Sequence, residues 1–274
     1  MKNVILFGYG KMGSSIARGW MLEKLNFNIF IIEKKASMRK IANKDGFKAY
    51  ENLKSLNESK NSIIFSIIFL AVKPQQMEET IKSFSKFSLN KVVLVSIAAG
   101  LSFSWFKNKI NNEIKIVRAM PNLPASIGFG VTGYCKSKNL SEEEDRNVYT
   151  LLSAFSKVIY LNHESLIDNI TAISGSGPGY IFYLAEALTQ IGMDHGFSNK
   201  DAKTLALETL IGSARLIEIS NVDPKTLKKN VTSPGGTTEA GLLVLESKKN
   251  GLYPLLNSTI NNAIKRAKEL NFDG

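Results

Sequence analysis

Over its first half the chain alternates short β-branched or aromatic runs with stretches whose apolar residues recur at helical spacing. Residues 4–7 read as a strand and 12–25 as an amphipathic helix; 28–32 is a strand and 38–44 a helix. Residues 63–72 contain a buried strand, 91–97 another, and 114–118 a further one, followed by a proline-rich turn. Strand–helix alternation of this kind predicts right-handed crossovers and a doubly wound parallel sheet covered on both faces, an α/β architecture. After about Tyr160 the strand signals stop. Residues 170–193 are largely apolar, with a Gly-Pro interruption near the start. Residues 201–219 carry Leu207, Leu210, Ala214 and Ile217 at helical spacing, and 253–270 carry Leu256, Ile260, Ala263, Ala267 and Leu270. The second half is therefore expected to be helical, with a boundary near His163: residues 1–163 form the α/β domain and 164–274 an all-α domain.

Composition narrows the class. With 274 residues the chain can bury two cores. Hydrophobic residues make up 44%, charged residues 22%, and there are 20 glycines and 7 prolines, a globular balance that excludes disordered or collagen-like chains. The longest apolar run, 63–72, is too short to span a bilayer, and no signal peptide is visible, so no membrane partner is expected. Cys135 is the one cysteine. It allows no intrachain disulfide and no cysteine-based zinc site, which suits a reducing cytoplasm, and no metal is expected. The formal charge of +11 would suit nucleic acid or anionic metabolites. The positive residues are spread along the chain, with no cluster beyond pairs such as Lys34-Lys35, Lys228-Lys229 and Lys248-Lys249, and no nucleic-acid-binding motif accompanies them. A nucleic-acid partner is not expected.

The candidate chemistry begins at Gly8-Tyr9-Gly10-Lys11-Met12-Gly13, a full G-x-G-x-x-G that follows a strand and opens a helix. In that context the first glycine permits the tight turn, the second lets backbone approach a pyrophosphate, and the third allows close helix–strand packing. The helix start supplies free N–H groups to phosphate. Glu33 lies twenty residues past Gly13, where an acid favours the ribose hydroxyls of NADH. Lys34, Lys35 and Arg39 follow and suit the 2′-phosphate of NADPH, so both nicotinamides remain open. Ala71-Val72-Lys73-Pro74 and Met120-Pro121-Asn122 each follow a buried strand, at the sheet end where ligands bind in such folds.

Two loops stand out in the second half. Ser174-Gly175-Ser176-Gly177-Pro178 interrupts a helical run, with free hydroxyls and amides expected. Ser233-Pro234-Gly235-Gly236-Thr237-Thr238 precedes a helix over 239–246, which Thr237 or Thr238 would cap. Its amides suit a carboxylate. His195 reads as a helix C-terminal residue and His163 as solvated, and there is no nucleophile elbow. Chemistry with so little side-chain acid or base suits hydride transfer to an activated substrate.

Val72-Lys73-Pro74-Gln75, Met120-Pro121-Asn122, the 174–178 loop and the 233–238 loop, in this order, resemble the pyrroline-5-carboxylate reductase family over nearly the whole chain. The resemblance implies a Rossmann domain followed by an all-α dimerisation domain, a homodimer with intertwined C-terminal helices, and rings of dimers. It implies reduction of the C=N bond of 1-pyrroline-5-carboxylate by NADPH or NADH to give L-proline, the last step of proline biosynthesis, in the cytoplasm. It implies a site where the cofactor crevice of one subunit meets helical-domain residues, some from the partner. Asn52 would contact the adenosine side of the cofactor. Ser233, Gly235, Gly236, Thr237 and Thr238 would hold the substrate carboxylate, with the Thr238 hydroxyl near the ring nitrogen. Lys229, Asn221 and Gly179 depart from the family's usual Asp, Glu and Ala. A β-hydroxyacid dehydrogenase or related imine reductase would need a lysine on the first long helix of the second domain, and 180–193 has none. A non-catalytic NAD(P)-binding regulator would explain the glycine turn but not the 233–238 loop.

Overall fold

The structure, a computed structural model, describes residues 1–59, 63–85 and 87–271. It divides into two compact units, residues 1–176 with 264–274, and residues 177–263.

The first unit is built on one eight-stranded sheet among the described residues. Its strands are β1 (Lys2–Phe7), β2 (Phe27–Ile32), β3 (Lys48–Tyr50), β4 (Ile67–Leu70), β5 (Val93–Ser96), β6 (Lys115–Met120), β7 (Gly130–Lys136) and β8 (Ser156–Tyr160), in the order β3-β2-β1-β4-β5-β6-β7-β8. The first six are parallel and follow the doubly wound order 3-2-1-4-5-6. β7 pairs antiparallel with β6, and β8 parallel with β7. Helices α1 (Lys11–Leu22), α2 (Ala36–Lys44), α3 (Leu53–Ser59), α4 (Pro74–Lys82) and α5 (Phe103–Lys109) connect the parallel strands. α6 (Glu142–Ser153) lies between β7 and β8.

Successive side chains of a strand point to opposite faces, and both faces here are covered. Val4 and Leu6 join a core with Ile16, Trp20, Phe69 and Val117; Ile5 and Phe7 join another with Leu56, Ile68, Leu70 and Phe106. That is why the parallel strands read as continuous apolar runs. Trp20 is buried, and its indole N–H donates to Leu151 O at 2.7 Å, satisfying the polar edge of the ring. Beyond β8, α7 (Leu166–Ile170) passes into a π-helical turn over Thr171–Gly175, and these residues pack with the first unit.

The second unit holds α8 (Gly177–Asp194), α9 (Asn199–Ser220), α10 (Pro224–Asn230), α11 (Thr237–Leu245) and most of α12 (Leu252–Glu269). α8 and α9 form a close antiparallel hairpin. A Cβ added at Gly192 would sit 2.9 Å from Ala202 Cβ. No residue of α8, α10, α11 or α12 is buried, and Phe182, Tyr183, Leu243 and Val244 are more than half exposed. His195 follows α8, with Nδ1 at 2.8 Å from Ile191 O, the helix C-terminal position expected from sequence.

Candidate active site

The glycine turn is built by close approach. Gly8 has φ +92°, and a Cβ there would lie 2.8 Å from Ala71 O. A Cβ at Gly13 would lie 2.1 Å from Gly8 O. The turn and the β4 end are thus in backbone contact, which fixes both. A Cβ at Gly10 would meet nothing within 4 Å, so this glycine leaves open space rather than filling it. Gly10 is the N-cap of α1, with no side-chain cap and no acidic residue in the first turn. The first intrahelical bond is Ser14 N–H to Gly10 O at 2.9 Å. The amides of Lys11, Met12 and Gly13 therefore precede the helix ladder and form an N-terminal anion site. A cradle open at Gly10 and ringed by these amides fits the pyrophosphate of a dinucleotide.

Tyr9 turns its ring inward. It is fully buried, and its hydroxyl donates to Asp45 Oδ2 at 2.7 Å; Arg18 Nε and Nη2 donate to the same oxygen at 3.0 and 2.8 Å. Burial, reinforced by the Asp45 carboxylate, pushes the Tyr9 phenol well above its ordinary range. The hydrogen bond from Tyr9 and the Arg18 guanidinium hold the Asp45 carboxyl below its usual value against burial. Tyr9 thus anchors the turn and presents only backbone to a ligand.

Around the cradle, Glu33 Oε2 accepts from Tyr9 N–H and Oε1 from Lys35 N–H, each at 2.8 Å. Lys34 Nζ lies 2.5 Å from Glu79 Oε1. Asn52 directly precedes α3, its Oδ1 accepting from Ser55 N–H at 2.9 Å. Ala71 N–H donates to Phe7 O at 2.8 Å, Lys73 is the exposed N-cap of α4, and Pro74 is that helix's first residue.

Met120 and Pro121 are buried at the β6 end. Asn122 is a cross-link: its Oδ1 accepts from Val131 N–H at 2.9 Å and its Nδ2 donates to Ser174 Oγ at 3.1 Å. This joins the loop after β6 to the π-turn. No sequence pattern pairs residues this far apart, so the link was not expected. The Ser174 hydroxyl, expected to be free, is engaged. The 174–178 segment also breaks the helix less than expected, since a π-turn runs to Gly175 and α8 starts at Gly177 with Pro178 in its first turn.

In the second unit, the 233–238 segment leads into α11. Its N-cap is Gly236, with no side-chain cap. Thr237 and Thr238 are the first two helical residues and exposed, not capping residues as the sequence suggested. Gly235 has φ +69°, and its N–H donates to Glu239 Oε2 at 2.7 Å; Gly236 N–H donates to Ser233 O at 3.0 Å. Ala240 N–H makes the first intrahelical bond, to Gly236 O. The amides before the ladder are those of Thr237, Thr238 and Glu239, and the threonine hydroxyls stand beside them. The buried Cys135 thiol is pushed up to about 12 by desolvation and supplies no thiolate nucleophile.

Two family models match. That for pyrroline-5-carboxylate reductase dimerisation covers residues 164–270, and that for NADP oxidoreductase, coenzyme F420-dependent, covers 3–100. Pyrroline-5-carboxylate reductase of Aquifex aeolicus is 34% identical over 97% of this chain and 96% of its own. The solved structure of a pyrroline-5-carboxylate reductase from Coxiella burnetii matches with a TM-score of 0.88 at 28% identity, over 98% of each chain. That of Plasmodium falciparum pyrroline carboxylate reductase with NADP bound matches with a TM-score of 0.80 at 28% identity, over 98% of each chain. A Rossmann sheet in the order 3-2-1-4-5-6 followed by the dimerisation domain, together with this identity over almost the full length, shows that the chain belongs to the pyrroline-5-carboxylate reductase family.

Proposed function

We propose that this protein reduces the C=N bond of 1-pyrroline-5-carboxylate to give L-proline, the last step of proline biosynthesis, with NADPH or NADH as the reductant. The observation that carries the reading is the start of α1, where three amides lie open behind a glycine whose missing side chain leaves clear space.

Gly8, Tyr9, Gly10, Lys11, Met12 and Gly13 hold the pyrophosphate through backbone. Glu33, Lys34 and Asn52 line the adenosine side. Ala71, Val72, Lys73 and Pro74, with Met120, Pro121 and Asn122, line the rest of the crevice at the carboxyl ends of β4 and β6. The reduced nicotinamide, when bound, supplies the hydride. Ser233, Gly235, Gly236, Thr237 and Thr238 hold the substrate carboxylate. The amides that open α11 are the donors, and Gly235 and Gly236 shape the turn that aims them.

The substrate nitrogen carries a proton in the reactive form. The iminium carbon then accepts hydride, the C=N π electrons settle on nitrogen, and the product is a secondary amine. The chain's task is to fix that carbon about 3–3.5 Å from the donor carbon. Thr238 hydrogen-bonds the ring nitrogen and steadies its proton.

Residues 1–163 serve the dinucleotide, while 164–274 serve substrate binding and pairing. The chain carries the family's dimerisation domain, and the uncovered apolar faces of α8 and α11 support a homodimer. A ring of such dimers is the larger assembly proposed. The single buried thiol supports a cytoplasmic location.

The test is to add 1-pyrroline-5-carboxylate to enzyme and reduced nicotinamide, follow the loss of nicotinamide absorbance, and identify proline among the products. Absence of proline, or oxidation only with a hydroxyacid–oxoacid pair, overturns the reading.

A further inference from the structure

NADH and NADPH differ at one position, the adenosine 2′ oxygen, which carries a hydroxyl in the first and a phosphate in the second. We propose that Glu33 makes this chain select NADH, an assignment that rests on the dinucleotide reading above.

Glu33 is the first residue beyond β2, beside the glycine turn. Its carboxylate is held from two sides: Oε2 accepts from Tyr9 N–H and Oε1 from Lys35 N–H, both at 2.8 Å. Two backbone donors from separate segments fix the rotamer, and one of them belongs to the cradle itself. The Tyr9 donor is in turn anchored, because its side chain is buried and its hydroxyl is bonded to Asp45. Each carboxylate oxygen keeps a further lone pair. What the site offers is therefore acceptors, which match the two donor hydroxyls of an adenosine ribose. A 2′-phosphate brings only acceptors and a charge of about −1.5 to −2 at neutral pH. Glu33 is half-buried, so water screens that repulsion incompletely. A fixed like charge of this kind discriminates by rejecting the wrong ligand.

Of the neighbouring cations, Arg39 and Lys34 are engaged elsewhere. Arg39 Nη1 donates to the carbonyls of Glu33 and Lys34 at 2.9 and 2.6 Å, and its Nη2 lies 3.8 Å from Glu51 Oε2. That guanidinium braces the loop from behind. Lys34 is paired with Glu79, and Lys35 gives only its backbone amide to Glu33 while its side chain stays exposed. Exposed lysine pairs are weak and exchangeable. Once the Glu33 charge no longer repels a 2′-phosphate, Lys34, by exchanging its partner, and the exposed Lys35 can meet it.

Calorimetric titration of the full-length protein with NADH and with NADPH measures the choice without turnover. The thermal shift at saturating concentrations of each nucleotide gives a second, independent readout. NADH is expected to bind about tenfold or more tightly, a difference of about 1.4 kcal/mol. Glu33→Gln keeps the size and removes the charge; it is expected to weaken NADH, strengthen NADPH, and lower the affinity ratio about tenfold. Wild-type protein that binds NADPH as tightly as NADH, or more tightly, overturns the assignment even if Glu33→Gln fails to fold. So does a folded Glu33→Gln protein with an unchanged ratio. In both of those cases the reductase reading survives. Binding of neither nucleotide overturns both.

Discussion

At the scale of single residues, the cradle separates positions that build the turn from a position that leaves room. Gly13→Ala places a Cβ 2.1 Å from a backbone carbonyl that has no flexible end to move. It is expected to lower stability in urea denaturation by about 1–3 kcal/mol and to weaken dinucleotide binding with it. Gly10→Ala meets no protein atom, so its cost to stability is the lesser one of an alanine N-cap, about 1 kcal/mol or below. The added methyl occupies ligand space instead, and dinucleotide affinity is expected to fall about tenfold or more by titration. Equal effects of the two substitutions on stability would show that the turn is not packed as described. Tyr9→Phe probes the anchor below the turn. The Asp45 carboxyl is held below its unfolded value of 3.8, so its stabilising contribution is present above that value and is lost as pH falls through the depressed folded value. Without the Tyr9 hydroxyl the depression shrinks. The variant is expected to lose about 1 kcal/mol at neutral pH, and the gap from wild type should narrow in denaturation curves taken from pH 5 down to pH 2. Asn221 fits the same local logic: it caps the C-terminus of α9 at φ +53°, a left-handed position that asparagine tolerates better than most side chains.

At the scale of elements, most of the parallel half was legible because its strands are buried on both faces and leave unbroken apolar runs, as in β4 and β5. β3 is three residues at a sheet edge, too short to register. β7 begins with Gly130 and contains Gly133, which dilutes its β signal; a Cβ at Gly133 would press on the end of the Ile170 side chain, 2.3 Å from Cδ1. The glycine turn was legible as a motif, because steric need forces glycine at fixed spacing. The Asn122–Ser174 bond was not, since nothing in a single sequence pairs loops so far apart. The entry to α11 lay between these cases. The loop was visible, but its cap was assigned to a threonine when Gly236 holds that place. With Thr237 and Thr238 exposed and uninvolved in capping, Thr238→Ala is expected to change stability by no more than about 0.5 kcal/mol. Turnover is expected to fall about 10²-fold or more, if the hydroxyl steadies the proton on the substrate nitrogen. Unchanged kcat and KM with an unchanged melting temperature would remove Thr238 from the mechanism.

At the scale of the whole molecule, the two units differ in how they close. The first has cores on both faces of its sheet, whereas in the second only Ala202 and Ala206 of α9, and Gly251, are buried. Aromatic and branched side chains on α8 and α11 remain uncovered within one chain: Tyr183 and Leu243 are each 71% exposed. A surface this apolar is unfavourable in water and favourable against a matching surface, so the helical half is expected to reach its full stability only on pairing. Two consequences can be measured together. The melting temperature should rise with protein concentration, as mass action requires when the folded state is an assembly. Leu243→Asp places a charge on the uncovered face, where burial in a partner would leave it unpaired at a cost of several kcal/mol. That substitution is expected to shift the sedimenting species from dimer to monomer and to lower the melting temperature. An isolated chain would tolerate it, because the position is exposed there. A Leu243→Asp protein that stays dimeric and melts with wild type would show that this face of α11 lies outside the contact.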